Sequence, residues 1–217
     1  PKYSGNDNKI VTKANFLIDA EGTINAKIEM KSTGIQYDRR YSVAHLDSKE
    51  QDSFYKHYWD YIDNINLSSV NVLNNQDDIL FKENIELKAK SYARKAENKL
   101  FIPLNAFQRM TNKPVINNNR KHPLVFDREF RYEDEYSVKI PADYTIENIP
   151  SPINIDSPFG IYKTSVEKIN DKEVIFKRLL HLNEGYFDAD MYNEFRDFMR
   201  NINKGDNQKM IIINTPN

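Results

Sequence analysis

Cysteine, histidine and the acidic residues are the side chains that would carry catalysis, and no recognised catalytic motif joins them. The 217-residue chain contains no cysteine, which excludes disulfides, thiolate metal sites and a cysteine nucleophile. Its four histidines, His45, His57, His122 and His181, fall in four different predicted elements. His57 and Asp60 are one helical turn apart, but structural zinc normally takes four ligands. We therefore expect neither a metal site nor a cofactor.

The acidic residues between Asp127 and Glu135 are the second candidate for chemistry. On a strand, Glu133 and Glu135 share one face and lie roughly 6–7 Å apart, a separation that could suit the two carboxylates of a glycosidase. The opposite face of this strand is aromatic, so the acids more simply form the solvated face of a half-buried strand. Acid–base catalysis also requires a desolvated cleft. An autonomous hydrolase that uses Glu133 or Asp127 is therefore the least favoured function.

Three arginines stand out because apolar residues surround them. Arg39, Arg120 and Arg178 each fall beside or inside an apolar alternation, and Arg178 shares a predicted strand face with Val174 and Phe176. An arginine on an inward face must pair with a carboxylate or with carbonyl oxygens. Two interpretations meet this requirement: a structural ion pair within the chain, or an interface anchor against a preceding domain.

Composition narrows the classes of ligand. The formal net charge is −1 and the basic residues are scattered, so nucleic acid is not an expected partner. No apolar run approaches the roughly 20 residues that span a bilayer, so we expect no membrane insertion. Exposed tyrosines could stack on sugar rings, although tyrosine more commonly buries its ring and leaves its hydroxyl solvated.

Hydrophobic alternation predicts strands for most of the chain. A hairpin is predicted over residues 10–30, and a second over residues 162–182 with its turn at Asn170-Asp171. A clear strand with one aromatic face is predicted over residues 130–140, and a short apolar strand over residues 209–214. Together these patterns predict a mainly β fold made of antiparallel β-sandwich-like lobes.

Two amphipathic helices are predicted to pack on the sheets. The first covers residues 47–65, where Asp47 and Glu50 form a capping box and the apolar residues recur at helical spacing. The second begins after Asp188, and Gly205 is placed as its C-terminal stop. With these helices at its margin, the fold approaches the α+β class.

A polar segment divides the chain into two predicted domains. Residues 105–119 are rich in asparagine and contain a proline, which makes them the best candidate for a linker. We place the boundary near residue 117. Residues 1–117 are then a β-rich domain with one helix, and residues 118–217 a C-terminal β-sandwich-like domain with one helix.

Short motifs along the chain carry a resemblance to a known family. In the second half they are Arg120-Lys-His-Pro123, Ile140-Pro141, Ile149-Pro-Ser-Pro152, Phe159-Gly-Ile-Tyr162, Arg178, Tyr192-x-x-Phe195-x-x-Phe198 and Met210-Ile-Ile-Ile213. In the first half they are Asp19-Ala-Glu-Gly-Thr-Ile24, Ser32-Thr-Gly34 and Arg39-Arg40. In order and spacing, these motifs resemble the C-terminal accessory region that follows a transglutaminase-like core in large proteins of Bacteroidota.

The resemblance implies that a transglutaminase-like core precedes this segment in the same polypeptide. It also implies export to the periplasm or cell envelope. The family's core uses a Cys-His-Asp triad, and a chain without cysteine cannot supply the nucleophile, so no catalytic residue is carried onto any position here. Because the chain begins at Pro1 rather than methionine, we expect it to be a piece of a longer protein.

Two functions of different classes follow. The first is a non-catalytic accessory domain that packs on the upstream core or restricts access to it, and its contacts would be intramolecular. The alternative is a glycan- or peptide-binding β-sandwich module of the cell envelope. That alternative predicts a contiguous patch of exposed tyrosines in a groove.

Overall fold

The computed structural model describes residues 4–117 and 119–215, and β-strands dominate it. Its strands are β1 (Lys9–Ile18), β2 (Ile24–Thr33), β3 (Ile65–Asn75), β4 (Leu80–Ala89), β5 (Arg94–Ala96), β6 (Lys99–Pro103), β7 (Leu124–Phe126), β8 (Phe130–Lys139), β9 (Tyr144–Asn148), β10 (Ile153–Ser157), β11 (Gly160–Asn170), β12 (Glu173–Leu182), β13 (Gly185–Phe187) and β14 (Lys209–Asn214). Its helices are α1 (Ile35–Asp38), α2 (Ser48–Tyr58) and α3 (Tyr192–Asp206), with 3₁₀ turns at Tyr41–His45 and Ala189–Met191.

The strands form three sheets. The largest has eight strands in the order β10-β11-β12-β8-β1-β2-β4-β3, the second has four in the order β5-β6-β14-β9, and β13 pairs with β7 in a short ribbon. The mainly β fold class is confirmed. The large sheet is mixed rather than purely antiparallel, because β1 runs parallel to β8. Parallel neighbours require a long connection between them, and about 110 residues separate these two strands.

The predicted hairpins are confirmed and they organise the large sheet. In the first, β1 pairs with β2 so that Phe16 lies opposite Ala26 on the buried face. Its turn is fixed by Asp19, whose side chain accepts hydrogen bonds from the backbone N–H groups of Glu21 and Thr23. In the second, β11 pairs with β12, but a bulge at Ile169 moves the turn to Asp171-Lys172, one residue beyond the predicted Asn170-Asp171. Each hairpin therefore delivers to the interior a largely apolar face that contains one or two buried polar residues.

Two apolar cores fill the interior. The larger lies between the buried faces of the eight-stranded and four-stranded sheets, and includes Phe16, Trp59, Phe107 and Tyr136. The smaller gathers residues of α3 and of β11–β12, including Phe198 and Tyr162. Strands from both sides of the boundary predicted near residue 117 pair within the eight-stranded sheet. The two predicted domains therefore share a sheet and contribute together to the larger core.

The first predicted helix is real but shorter than expected. Asp47 caps α2, and its reciprocal contacts with Glu50 form the predicted capping box. The helix ends at Tyr58 rather than at residue 65, because Trp59 leaves the helical conformation with φ −110° and ψ 45°. Asn64, with a positive φ of 55°, then precedes the start of β3. Trp59 is still fully buried and donates from its indole N–H to the carbonyl of Phe107.

The second predicted helix is also present, and its glycine has a different role from the one expected. Asp188 precedes a 3₁₀ turn and makes no side-chain cap, so α3 itself starts at Tyr192. Gly205 lies inside the last turn of α3 and does not have a positive φ. A Cβ atom at this position would lie 2.5 Å from the hydroxyl oxygen of Tyr162. The absence of a side chain lets the helix approach β11 closely.

Replacing Gly205 with alanine should therefore destabilise the chain by about 1–3 kcal/mol, the usual cost of overpacking. Alanine favours a helix interior over glycine by up to about 1 kcal/mol, so a clash is required for a net loss. Urea unfolding monitored by tryptophan fluorescence would measure the change. A stabilised Gly205→Ala variant would contradict the close approach.

Candidate functional site

A row of polar side chains crosses the buried face of the eight-stranded sheet at one level of the strand register. Each member lies opposite the next on the neighbouring strand, so all of them point to the same side of the sheet. In order from β11 to β4, and interrupted by one methionine, the row is Thr164, Arg178, Asp134, Thr12, Met30 and Glu83. All six are buried. Two charged clusters, one around Arg178 and one around Glu83, therefore lie within the interior.

The Arg178 cluster joins the sheet to α3. The guanidinium donates from Nε and Nη2 to the two carboxylate oxygens of Asp206, at 2.7 and 3.0 Å, and from Nη1 to Asp134 Oδ2 at 2.9 Å. Asp206 also accepts hydrogen bonds from the Tyr162 hydroxyl and from the backbone N–H of Met110, both at 2.8 Å. The side chains of Arg178 and both acids have no exposed surface. Arg178 thus forms the structural ion pair, the first of its two sequence interpretations.

The two acids of this cluster differ in the number of hydrogen bonds that their carboxylates accept. Four donors surround the Asp206 carboxylate, whereas one oxygen of Asp134 has no hydrogen-bond partner among the described residues. Burial raises the pKa of Asp134 to about 6, against the lowering effect of Arg178, and the nearby charge of Asp206 raises it further.

The raised pKa of Asp134 predicts how the free energy of unfolding changes with pH. Between about pH 4 and pH 6 the folded chain holds a proton on Asp134 that the unfolded chain has released, so this group makes stability fall as pH rises. Replacing Asp134 with asparagine removes the titration while keeping an acceptor for Arg178. We expect the variant to gain about 1–3 kcal/mol relative to the parent on going from pH 4 to pH 7. Urea unfolding at both pH values measures this difference, and an unchanged difference would contradict it.

The second cluster lies where α2 covers the other end of the polar row. Arg40 donates from Nε to Glu83 Oε2 at 3.1 Å and forms a second contact from Nη2 to Oε1, so the pair is bidentate. The Tyr55 hydroxyl donates to the same Oε1 at 2.6 Å. Burial, followed by the charge of Glu83, raises the pKa of Tyr55. The Arg40 guanidinium also lies 4.2 Å from the ring centre of Tyr58, which is within cation–π range.

The three predicted arginines are not brought together. Arg39 is exposed, and its neighbour Arg40 takes the buried position instead. Arg120 donates from Nε to the carbonyl of His122 at 2.8 Å, and its guanidinium lies 4.7 Å from the ring centre of Tyr192. Arg120 therefore holds a loop against the start of α3. Of the three, Arg39 and Arg120 retain surface that a partner could contact.

The acidic residues and histidines do not form a reaction centre in the described part of the chain. Glu133 is ion-paired with Arg131 at 2.8 Å, and Glu135 and Asp127 are exposed. Across residues 4–117 and 119–215, no group of three or more histidines and acids is close enough to hold a metal ion. None of the helices in those ranges is long and apolar enough to cross a bilayer.

Few tyrosines are available for sugar stacking: among the described residues only Tyr41 and Tyr186 are exposed. Tyr55, Tyr136, Tyr144 and Tyr162 are fully buried. A groove of about 560 Å³ does lie on the outer face of the large sheet. Its lining is mainly apolar surface, to which the 51% exposed Leu17 contributes, and its polar groups include Asn15, Asn25, Lys27, Asn66, Ser68, Glu86, Lys88, Ser137 and Lys139. No tyrosine of the described chain lines this groove, so it suits a ligand held by apolar contact and hydrogen bonds rather than by ring stacking.

An exposed apolar pair lies on the β7–β13 ribbon. Val125 and Tyr186 are directly opposite each other and are 55% and 70% exposed. The N-terminal segment packs beside the base of this ribbon, where Asn8 donates to the backbone carbonyl of Glu129 at 3.1 Å and the backbone N–H of Gly5 donates to the Glu129 carboxylate. Glu129 follows β7 by three residues. The start of the described chain therefore contacts the segment that directly follows β7, the strand that carries Val125.

Comparison with known proteins identifies the family of this chain. No curated protein matches the chain. A crystal structure described as a "putative protease" from Parabacteroides distasonis ATCC 8503 is 18% identical, with a TM-score of 0.39 over 46% of this chain and 19% of that one. The chain thus spans about a fifth of that protein's length. A family model, described as a domain of unknown function with solved structure (DUF3858), matches residues 98–212, from the start of β6 into β14. Because this match covers more than half of the chain, the chain belongs to the DUF3858 family.

Proposed function

We propose that this chain is a non-catalytic accessory module that follows a transglutaminase- or protease-like core in the same polypeptide. The module packs on that core or restricts access to it. The sequence motifs that resemble such an accessory region support the proposal, as does the lack of a cysteine nucleophile. The same resemblance supports a location in the periplasm or cell envelope.

The observation that carries the proposal is the exposed apolar pair beside the N-terminal segment. Tyrosine is enriched in protein interfaces, where its ring supplies apolar contact area and its hydroxyl can hydrogen-bond. A domain joined ahead of Ser4 would emerge next to Glu129 and therefore close to Val125 and Tyr186. Packing against such a domain would cover a surface that is otherwise solvated.

The first test is the gene sequence upstream of the codon for Pro1. The proposal requires an in-frame core with Cys, His and Asp in transglutaminase order. The core and this chain would then be produced as separate pieces and their affinity measured by calorimetry. We expect Tyr186→Ala to weaken binding at least about 10-fold, as expected for an interface hot spot.

Tyr41→Ala is the matched control, because Tyr41 is also exposed but lies in the 3₁₀ turn beside α1. This control should leave the affinity unchanged. The absence of an upstream core, or a failure of the two pieces to associate, would overturn the accessory function. Equal effects of the two substitutions would instead move the contact away from the ribbon.

A second candidate function rests on the groove of the outer face. Its amide, hydroxyl and lysine groups, together with the apolar surface of Leu17, favour a glycan or peptide bound through both hydrogen bonds and apolar contact. Titration of the chain with oligosaccharides and short peptides, followed by amide chemical shifts, would test it. Saturable shifts centred on Asn15 and Asn25 would support this function, whereas shifts confined to other surfaces would exclude the groove.

A further inference from the structure

The strand β3 is a long edge of the eight-stranded sheet. It spans Ile65–Asn75 and, among the strands of residues 4–117 and 119–215, pairs with β4 alone. An edge strand directs every other N–H and C=O group away from its neighbour, where another strand can pair with them. In the described part of the chain, no backbone hydrogen bond reaches β3 from its outer side. The strand therefore keeps unused pairing groups along this edge.

Its composition lacks the usual protection of an edge. The eleven residues INLSSVNVLNN contain no charged residue and no proline, although 29% of the whole chain is charged. Every other described strand of five or more residues contains a charged residue. The opposite edge of this sheet, β10, is only five residues long and carries Asp156. Natural edge strands are commonly shielded by short length, charge, proline or bulges, and β3 has only a bulge between Leu67 and Ser69.

The second half of β3 is the accessible part. The first half is flanked by α2, since a small groove is lined jointly by Ser48, Gln51 and Asp52 of the helix and by residues 67–70 of the strand. Beyond the bulge, residues 69–75 keep an unbroken register with β4. In this stretch Asn71 is exposed, and Leu73 is 56% exposed on the outer face. An uninterrupted, uncharged half-strand thus remains open.

We propose that this half of β3 pairs antiparallel with β3 of a second copy of the chain, joining two eight-stranded sheets across a two-fold axis. In such an isologous contact both copies contribute the same strand, so each residue of β3 faces a residue of the partner copy's β3. A charged strand would oppose like charges and be destabilised. Here the amide of the exposed Asn71 can hydrogen-bond across the axis, since Asn74 and Asn75 already bond to Tyr37 and Asp78. Each Leu73 also loses exposed apolar surface to the partner copy. The absence of charge, which is unusual for this chain, is what makes the strand compatible with itself.

The decisive measurement is the mass of the 217-residue chain by sedimentation equilibrium across a range of concentrations. We expect a shift from the monomer mass of 25.6 kDa towards twice that value. Leu73→Lys should raise the dimer dissociation constant at least about 10-fold, because it places like charges close together across the axis. Leu17→Lys is the matched control: Leu17 is 51% exposed on the same outer face but lies on the central strand β1, so its dissociation constant should not change.

Hydrogen exchange then locates the contact. Amides within residues 69–75 should become more protected as concentration rises, and this gain should be lost in Leu73→Lys. Melting temperatures of both lysine variants near that of the parent would show that they remain folded. A chain that stays monomeric up to about 1 mM, where only the weakest specific contacts would be missed, overturns the proposal. Equal dimerisation of the two variants, or protection at another surface, overturns it as well.

Discussion

Replacing Arg178 with methionine should destabilise the chain by about 3–5 kcal/mol at pH 7, the cost of stranding buried charges. The substitution keeps most of the side-chain volume but removes all three hydrogen bonds to Asp206 and Asp134. Two carboxylates without exposed surface would then repel each other with no counter-charge. Urea unfolding at equilibrium provides the free energy.

Two comparisons make the Arg178 result specific. Arg200→Met is the control, because Arg200 projects from α3 into solvent, with 75% of its side chain exposed, and its loss should cost no more than about 0.5 kcal/mol. The destabilisation by Arg178→Met should shrink at pH 4, because the raised pKa of Asp134, about 6, keeps this carboxyl neutral there and fewer buried charges are left without a partner. A loss below about 1 kcal/mol at pH 7, the level of a surface ion pair, would show that the cluster is not desolvated.

Replacing Arg40 with methionine should cost a similar amount, about 3–5 kcal/mol, whereas Arg39→Met should change stability by no more than about 0.5 kcal/mol. The two residues are adjacent in sequence but opposite in environment. Arg40 is buried in a bidentate pair with Glu83, and Arg39 is exposed. Losing Arg40 leaves the Glu83 carboxylate with the Tyr55 hydroxyl as a hydrogen-bond donor, which does not supply a compensating charge.

Thermal and urea unfolding of both variants, produced in parallel, would test the pair. Glu83→Gln in the Arg40→Met background should recover part of the loss, because it removes the stranded charge while keeping an acceptor for Tyr55. A double variant no more stable than Arg40→Met alone would count against an electrostatic origin and favour lost packing on Tyr58.

The sequence predicts which face of a strand is buried better than it predicts which strands pair with one another. Period-two alternation identified both hairpins, because sequential strands joined by short turns pair locally. The same alternation also indicates two buried acidic residues. Asp134 is in phase with Tyr132 and Tyr136, and Glu83 is in phase with Phe81 and Ile85, so both acids belong to buried faces. A charged residue in phase with an apolar face is the signal that would have located both clusters.

The partners of those acids were harder to predict, for physical reasons. Arg40 lies between a four-residue helix and a 3₁₀ turn, where no regular period decides which of two adjacent arginines points inward. Asp206 ends α3, and only the docking of that helix on β12 brings it to Arg178. The parallel pairing of β1 with β8 is equally non-local. Contacts of this kind depend on the packing of whole elements, which periodicity does not report.

The parallel contact between β1 and β8 also sets an order on how the chain can fold as it leaves the ribosome. Strands β1 to β4 can pair with one another once residue 89 has emerged, yet one side of β1 must wait for residues 130–139. Non-local pairing of this kind is slow because the intervening loop must close first. During that interval the central strand of the finished sheet is itself an open edge, exposed to mispairing with other nascent chains. Translation pauses or chaperone binding between residues 90 and 130 should therefore influence the yield of folded protein more than pauses elsewhere.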